Sequence, residues 1–346
     1  MKKLFIIIVT VIILAIPVNA MDIRPPETPE SGRDLMPEEP ETFGEGLISI
    51  LKEAIAFLQP SVAAAAGVCL SLIATAVLVG IVKMLPGSNE TVTELVGIIA
   101  ATALLIQPTG ALIHSGMDTV SELSNYGKLL IPVLTAALAA QGGFTSSTAL
   151  YTGTVAFDAL LSGVISVFIM PGVYIFLALT VASAAIEQQM LQKCKSFIKW
   201  LITWGLKIVL YIFTGYIGIT GVVSGSVDSA ALKATKITIT GVVPVVGGIL
   251  SDASEAVLVS AGVMKNAAGV YGLLAIIAVW IGPFIEIGIQ YLLLKMTGAL
   301  CEVFQAKKIN SLVHDFSSAM GFLLAMTGAQ CLLLMISAVC FMKGVS

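Results

Sequence analysis

The residues of this chain best placed to do chemistry are a few charges set among apolar neighbours. Residues 223 to 267 read VSGSVDSAALKATKITITGVVPVVGGILSDASEAVLVSAGVMKNA, two amphipathic arms around a breaker at Gly241, Pro244, Gly247 and Gly248. Glycine and proline there favour a turn over a continued helix. If the chain folds back about Pro244, Lys236 and Asp252 each lie eight residues from the turn, and Lys233 and Glu255 each lie eleven. On each arm the two charges are three residues apart and share one helical face, so the arms can meet through two lysine–carboxylate pairs. A charge near the bilayer centre costs about 2.5 to 3.5 kcal/mol on insertion scales, so such groups pair, line a wet cavity or sit near an interface. The candidate functional hairpin comprises Asp228, Lys233, Lys236, Pro244, Gly247, Gly248, Asp252, Glu255, Lys265 and Asn266. It either borders a polar cavity or only staples two helices; charges on a solvated face are a third reading. The β-branched run Ile237 to Thr240 has strand propensity, but an open strand edge at membrane depth leaves backbone groups unsatisfied, which favours helix.

Two further carboxyls, Asp158 and Glu286, lie in otherwise apolar stretches. Each either serves a proton or ion path or is a hydrogen-bonded inward-facing group. Lys83 and Lys207 are expected near helix ends, reaching for the interface. Recognisable enzyme chemistry is missing. His114 and His314 have no glutamate beside them, which excludes the H-E-x-x-H zinc motif, and there is no G-x-x-x-x-G-K-[ST] loop to cradle ATP phosphates. Ser224 and Ser226 sit among glycines with no histidine near in sequence, so they read as packing residues rather than nucleophiles. Cys69, Cys194, Cys301, Cys331 and Cys340 form no C-x-x-C pair and mark neither a disulfide framework nor a zinc site. The chain is expected to be no enzyme, to need no cofactor and to bind no nucleic acid.

The elements that must position these groups are membrane helices. Of 346 residues 57% are hydrophobic and 11% charged, against roughly 25% charged in a soluble domain. The apolar residues come in runs of about twenty, the length that crosses a hydrocarbon core of about 30 Å, and they do not alternate with polar residues as in a β-barrel. Spans are predicted at 61–85, 92–113, 128–140, 150–186, 200–222, 268–294 and 317–342. The 128–140 stretch is short and holds Pro132, while 150–186 is too long for one straight crossing and is interrupted at Pro171-Gly172, which predicts a kinked pair or re-entrant hairpin. The fold class is thus all-α, a polytopic helical membrane protein with about six to eight crossings and a re-entrant or interfacial hairpin.

Residues 1–20 read as a secretory signal peptide: Lys2 and Lys3, an apolar stretch from Leu4 to Ile16, then Pro17 and Val18-Asn19-Ala20, with cleavage expected after Ala20. Residues 21–46 read as a disordered acidic external tail, and 47–346 as the helical membrane domain. Leu47, Ile48, Leu51, Ile55 and Leu58 recur at helical spacing, which predicts an interfacial helix on the outer leaflet. Lys193, Lys195 and Lys199 make 187–199 the clearest basic loop, hence cytoplasmic. Segment 295–316, with Lys295, Lys307 and Lys308, then faces the same side, while residues 223–267 and the C-terminus lie outside. Lys343 is the exception to that pattern.

From Lys199 to Ile277 the chain resembles the stage III sporulation protein AE family. The resemblance rests on Lys199-Trp200, Thr203, the glycines from Gly215 to Gly225, Asp228 with Ala231-Leu232-Lys233 and Lys236, Pro244-Val245-Val246-Gly247-Gly248, Ser251-Asp252, and Lys265-Asn266 before Gly269-Val270. It implies a protein of endospore-forming bacteria, made in the mother cell and placed in the membrane around the engulfed forespore. It further implies a place in a secretion-like channel complex joining the two cells and needed for late forespore development. The implied partners are sister proteins of the same operon, including a secretion-type ATPase and ring-forming proteins of the intermembrane space, and a forespore membrane protein. Read from the residues, a stand-alone secondary transporter for a small solute or ion remains an alternative, because broken helices with charges also build transporter sites. A scaffold without a pore fits the same sequence.

Overall fold

The computed structural model describes residues 25–37, 42–57, 59–140, 144–186, 188–219 and 267–344. The described residues are helical throughout their regular elements: α1 Glu30–Arg33, α2 Phe43–Phe57, α3 Gln59–Lys83, α4 Glu90–Ala140, α5 Phe144–Val164, a π turn Ile165–Ile169, α6 Met170–Ala185, α7 Gln189–Ile219, α8 Ala267–Val303 and α9 Lys307–Gly344. Six of these stretches are long and apolar enough to cross a membrane, with α5, the π turn and α6 making one of them. The chain is an all-α polytopic membrane protein. The signal segment, the cleavage site after Ala20 and the whole hairpin, Asp228 to Asn266, lie outside the described residues.

The crossings alternate in direction. Gly97 faces Ile309, Gly116 faces Met326 and Gly127 faces Leu334, so α4 and α9 run parallel. Gly269 meets Met342 and Gly298 meets Asn310, so α8 is antiparallel to α9. Gly153 against Tyr216 and Gly172 against Ile202 set α7 antiparallel to α5 and α6. One end of the bundle therefore gathers the links 84–89, 186–188 and 304–306. The other end gathers residues 219 and 267, the start of α3 and the last described turn of α9.

Helix α9 is the axis. Of its most apolar stretch 94% is buried, against 22% for both α3 and α7. Lipid tails are as apolar as leucine, so hiding apolar side chains from lipid gains nothing, and helices must be held by close packing and polar contacts instead. Glycine provides the close packing: a Cβ on Gly127 would come within 2.5 Å of Leu334 Cδ2. The turn into α9 is equally tight. Gln305 takes a left-handed backbone, φ 57°, while Gln305 N–H donates to the Glu302 carbonyl at 3.0 Å and Ala306 N–H to the Cys301 carbonyl at 3.1 Å. These two bonds form a Schellman closure of α8.

Four expectations are corrected. The stretches 92–113 and 128–140 are not separate spans but parts of one 51-residue helix, α4, which carries Pro108 and Pro132 inside it. At about 1.5 Å per residue it is about 75 Å long, far more than one hydrocarbon crossing. Stretch 150–186 is neither a hairpin nor broken at Pro171. Met170 N–H bonds the Ile165 carbonyl, five residues back, and the backbone stays helical through Val164, Ile169 and Met170. Proline lacks the N–H and crowds the preceding turn; the π turn absorbs that misfit one turn early, so the rod continues. Residues 188–199 and 295–316 are mostly helix rather than loop, being the ends of α7, α8 and α9.

The fourth correction concerns the acidic tail. Of residues 21–46 the structure describes 25–37 and 42–46, and both parts are packed: 43–46 begin α2, and α1 lies against α8, with Leu35 buried, Thr28 Oγ1 donating to the Tyr271 hydroxyl at 3.2 Å and Ser31 Oγ hydrogen-bonded to Glu122 of α4. Helix α2 forms as expected but turns a different face inward. Phe43, Gly46, Ile50 and Ala54 are buried, whereas Ile48 and Ile55 stay exposed at 67% and 62%, a surface suited to lipid.

The tail's docking depends on one missing side chain. A Cβ at Gly32 would lie 2.8 Å from the backbone nitrogen of Val279, which cannot move aside without displacing α8. Gly32→Ala should therefore lift α1 off α8 and leave the rest of the bundle intact. In a Leu35→Cys background, labelling by a soluble thiol reagent should be slow with Gly32 and several-fold faster with alanine, at an unchanged melting temperature.

Candidate functional site

Asp158 is the most confined charge-bearing group placed by the sequence reading. It lies on α5, 3% exposed, at the junction of three helices. Ser124 Oγ of α4 donates to Asp158 Oδ2 at 2.8 Å, and Gln330 Nε2 of α9 donates to Asp158 Oδ1 at 2.5 Å. Both carboxyl oxygens thus accept, which is how a buried acid is tolerated at membrane depth. Thr154 and Ser162, one turn before and after Asp158, carry buried hydroxyls without a partner, and Gln330 Oε1 is likewise unpaired. The three positions four residues apart share one face of α5, giving a polar ladder set against the axial helix with hydrogen-bonding capacity to spare. In the structure Asp158 faces inward and is hydrogen-bonded by Ser124 and Gln330, two partners that were not anticipated. The signal for them was available, since Gln330 is an amide inside an otherwise apolar run.

Glu286 is placed elsewhere. With Gln290, one turn on, it lines a groove of about 200 Å³ between α8, α3 and α4, walled by small residues such as Ser61, Ala64, Ala65 and Ala111 and by Pro108. Gln290 is 3% exposed and its Nε2 has no partner. Asp158 and Glu286 therefore do not form one site.

A second group of charges gathers at the end of the bundle that holds the three short links. Glu94 of α4 receives Lys83 of α3 and Lys308 of α9 at 2.8 Å, and Lys83 also approaches Glu90 at 3.3 Å. Lys83 is thus a fastened ion rather than a snorkelling one, with its side chain only 18% exposed. Lys195 of α7 pairs with Asp315 of α9 at 2.5 Å. Lys207 stands in mid-helix and exposed, one turn past Trp204, rather than near a helix end. Among the described residues no group of histidine, cysteine and carboxylate side chains is arranged to hold a metal.

The Asp158 junction makes a graded prediction. Asp158→Asn keeps an acceptor for Ser124, and its amide can pair with Gln330 once that side chain flips its free Oε1 inward; the cost should be about 1 kcal/mol or less, the scale of interhelical hydrogen bonds in membranes. Asp158→Leu strands two buried donors and should cost more, about 1 to 3 kcal/mol for each. Thermal melts of the two variants in detergent should rank them in that order below the native chain.

A protein of Bacillus subtilis (strain 168) described as stage III sporulation protein AE is 25% identical over 191 residues, 55% of this chain. The matched part covers 48% of that protein, so the chain spans about half the length of the curated relative. No solved structure matches. The family model described as stage III sporulation protein AE matches residues 41–344, from before α2 to the last turn of α9, and the chain belongs to that family.

Proposed function

We propose that this chain is a non-enzymatic, multi-pass component of a sporulation-specific, secretion-like channel complex between mother cell and forespore, seated in the mother-cell membrane around the engulfed forespore and required for late forespore development. The observation that carries this reading is the one-sidedness of the bundle. Lys83, Lys193, Lys195, Lys199, Lys295, Lys307 and Lys308 sit at or near the end holding the three short links, which the positive-inside rule assigns to the cytoplasm. The opposite end then faces the intermembrane space; residues 219 and 267 lie there, the two points between which most of the characteristic segment 199–277 runs in sequence. Its partners are the sister proteins of the operon: a secretion-type ATPase on the basic side, ring-forming proteins in the intermembrane space and a forespore membrane protein beyond them.

The axial helix gives this reading a physical limit. Its core is filled with side chains such as Phe316, Phe322, Leu323, Met326 and Phe341, each no more than 2% exposed. A conduit for large cargo is then built with the 220–266 segment or with partner chains, not along α9. Single cysteines at 228, 236, 252 and 255, in a chain without its five native cysteines, test this. A membrane-impermeant thiol reagent in sporulating cells should label them from the external side, at a rate that changes when the operon partners are deleted. Full protection under every condition would reduce the segment to a structural staple and end the channel-lining role.

One observation favours a second reading, the stand-alone transporter: a carboxyl held at helix junctions with unpaired hydroxyls around it is how ion-coupled carriers store a proton or cation. On that reading the purified chain alone, in liposomes, carries a pH-gradient-driven flux that Asp158→Asn abolishes. Absence of flux from the native chain at any gradient removes it.

A further inference from the structure

Among the described residues, the end of α7 beside the basic links gathers lysines of which one, Lys195, is paired with a carboxylate. Lys199 is half-buried between α7 and α9, and its ammonium, which has three hydrogens to donate, meets the Ser318 hydroxyl at 3.3 Å. That hydroxyl is itself engaged, donating to the His314 carbonyl at 3.2 Å. Lys195 and Lys295 lie within electrostatic reach of Lys199, as does Asp315. Asp315 is committed to Lys195 at 2.5 Å. Lys295, from α8, lies over the Tyr291 ring, 5.8 Å from its centre. Among the described residues, three lysines from two helices thus share one carboxylate, Asp315, which is paired with Lys195.

The surroundings set the depth of this cluster. On the same turns of α7 as Lys199, Phe197, Trp200 and Trp204 form an exposed run, with ring centres 6.1 and 6.3 Å apart and exposures of 57%, 52% and 45%. Exposed tryptophans in a row on a membrane helix mark the headgroup level, where one edge of the ring is wet and the other apolar. The group that arrives at that level with negative charge, several acceptor oxygens and an apolar anchor is the phosphate of an acidic phospholipid.

We propose that Lys199 and Lys295, with Lys195 behind them, form a binding site for the phosphate of an acidic phospholipid headgroup, at the depth that Phe197, Trp200 and Trp204 mark. Asp315 holds Lys195 in place and leaves the other two lysines for the lipid. The site is independent of the proposed channel role, since it requires only that the chain sits in a bilayer.

The full-length protein, purified in detergent, is loaded with phosphatidylglycerol or phosphatidylcholine and the retained lipid is counted by native mass spectrometry. The native chain should retain phosphatidylglycerol in preference to phosphatidylcholine, and millimolar inorganic phosphate should not displace it. Each lysine removed should weaken retention about fivefold, the factor matching about 1 kcal/mol per basic residue at an anionic surface, so Lys199→Gln with Lys295→Gln should lose it roughly 30-fold. Lys193→Gln, on an exposed position of the same helix, should change nothing. Lys295→Gln alone guards against misfolding, since Lys295 is exposed and its loss leaves the packing around Lys199 intact. Equal retention of both lipids, or undiminished phosphatidylglycerol binding in the Lys295 and double variants, would overturn the proposal. Displacement by inorganic phosphate would instead mark a free-anion site and overturn the lipid assignment.

Discussion

Dissolving a protein in lipid removes the force that usually buries a core, and the architecture follows from what replaces it. The most apolar stretch of helix α9 would be as comfortable in lipid as in protein, yet 94% of it is buried among its neighbours. Transfer from lipid to protein interior offers little free energy, so enclosure has to be held by dispersion between closely spaced backbones and by a few polar contacts. The glycines at α4, α5 and α8 supply the spacing, and Asp158, Gln330, Ser124, Asp315 and Glu94 supply the contacts. Each of these polar groups joins α9 to a different neighbour or joins two neighbours around it. A buried acid that costs a few kcal/mol to insert is thereby turned into a marker of register: it is satisfied in one arrangement of helices and stranded in most others.

The two ends of the bundle are fastened differently. At the basic end, ion pairs lock the start of α9 to α3, α4 and α7 within its first three turns. At the opposite end the described contacts are hydroxyls, small residues and the α1 turn, which lies against α8 at Ala278 and Val279. Pro283, four residues after Val279, removes the N–H that would have bonded the Val279 carbonyl. The stretch of α8 that carries α1 is thus also the stretch whose helical ladder is interrupted, and a segment with no apolar run of its own docks where the long helix is least regular.

Much of this was legible in the sequence, and the failures share a cause. Apolar runs located α3, α7, α8 and α9, with α3 placed to within two residues at each end; α7 and α9 begin 11 and 10 residues before the predicted spans and α8 ends 9 after its own, because the lysine-bearing stretches 188–199 and 295–316 are helix ends at one end of the bundle rather than loops. The readings that failed were those that let a local breaker decide a global path. Pro132 and Pro171 were given the power to end helices, but neighbouring helices and one π turn re-satisfy the backbone around such positions in membranes. The polar stretch 114–127 fell between two predicted spans, yet it is helix, and its residues Ser124 and Tyr126 are buried in the bundle. The tail was judged by its charge and proline content; its docking rests on Gly32, Leu35 and Thr28, which composition does not register. For the site, a lone acid in an apolar helix could be found from sequence, but its donors come from helices 34 and 172 residues away, and no periodicity connects them.

The same reasoning bears on what a chain with this core can conduct. A helix enclosed to 94% by its own neighbours leaves no room along its length for a polymer or a folded cargo, because opening such a path would separate glycine-mediated contacts that lipid does not replace. Motions that keep those contacts are cheaper: small rotations of α5 about the Asp158 junction, or displacement of α3, the most weakly enclosed crossing together with α7. The groove that holds Glu286 and the unpaired Gln290 amide lies between α3 and the rest of the bundle. Polar capacity that the fold leaves unspent is therefore found at this seam, in Gln290, as well as beside the axis, in Gln330, Thr154 and Ser162; only at the seam does it coincide with the crossing least enclosed by its neighbours.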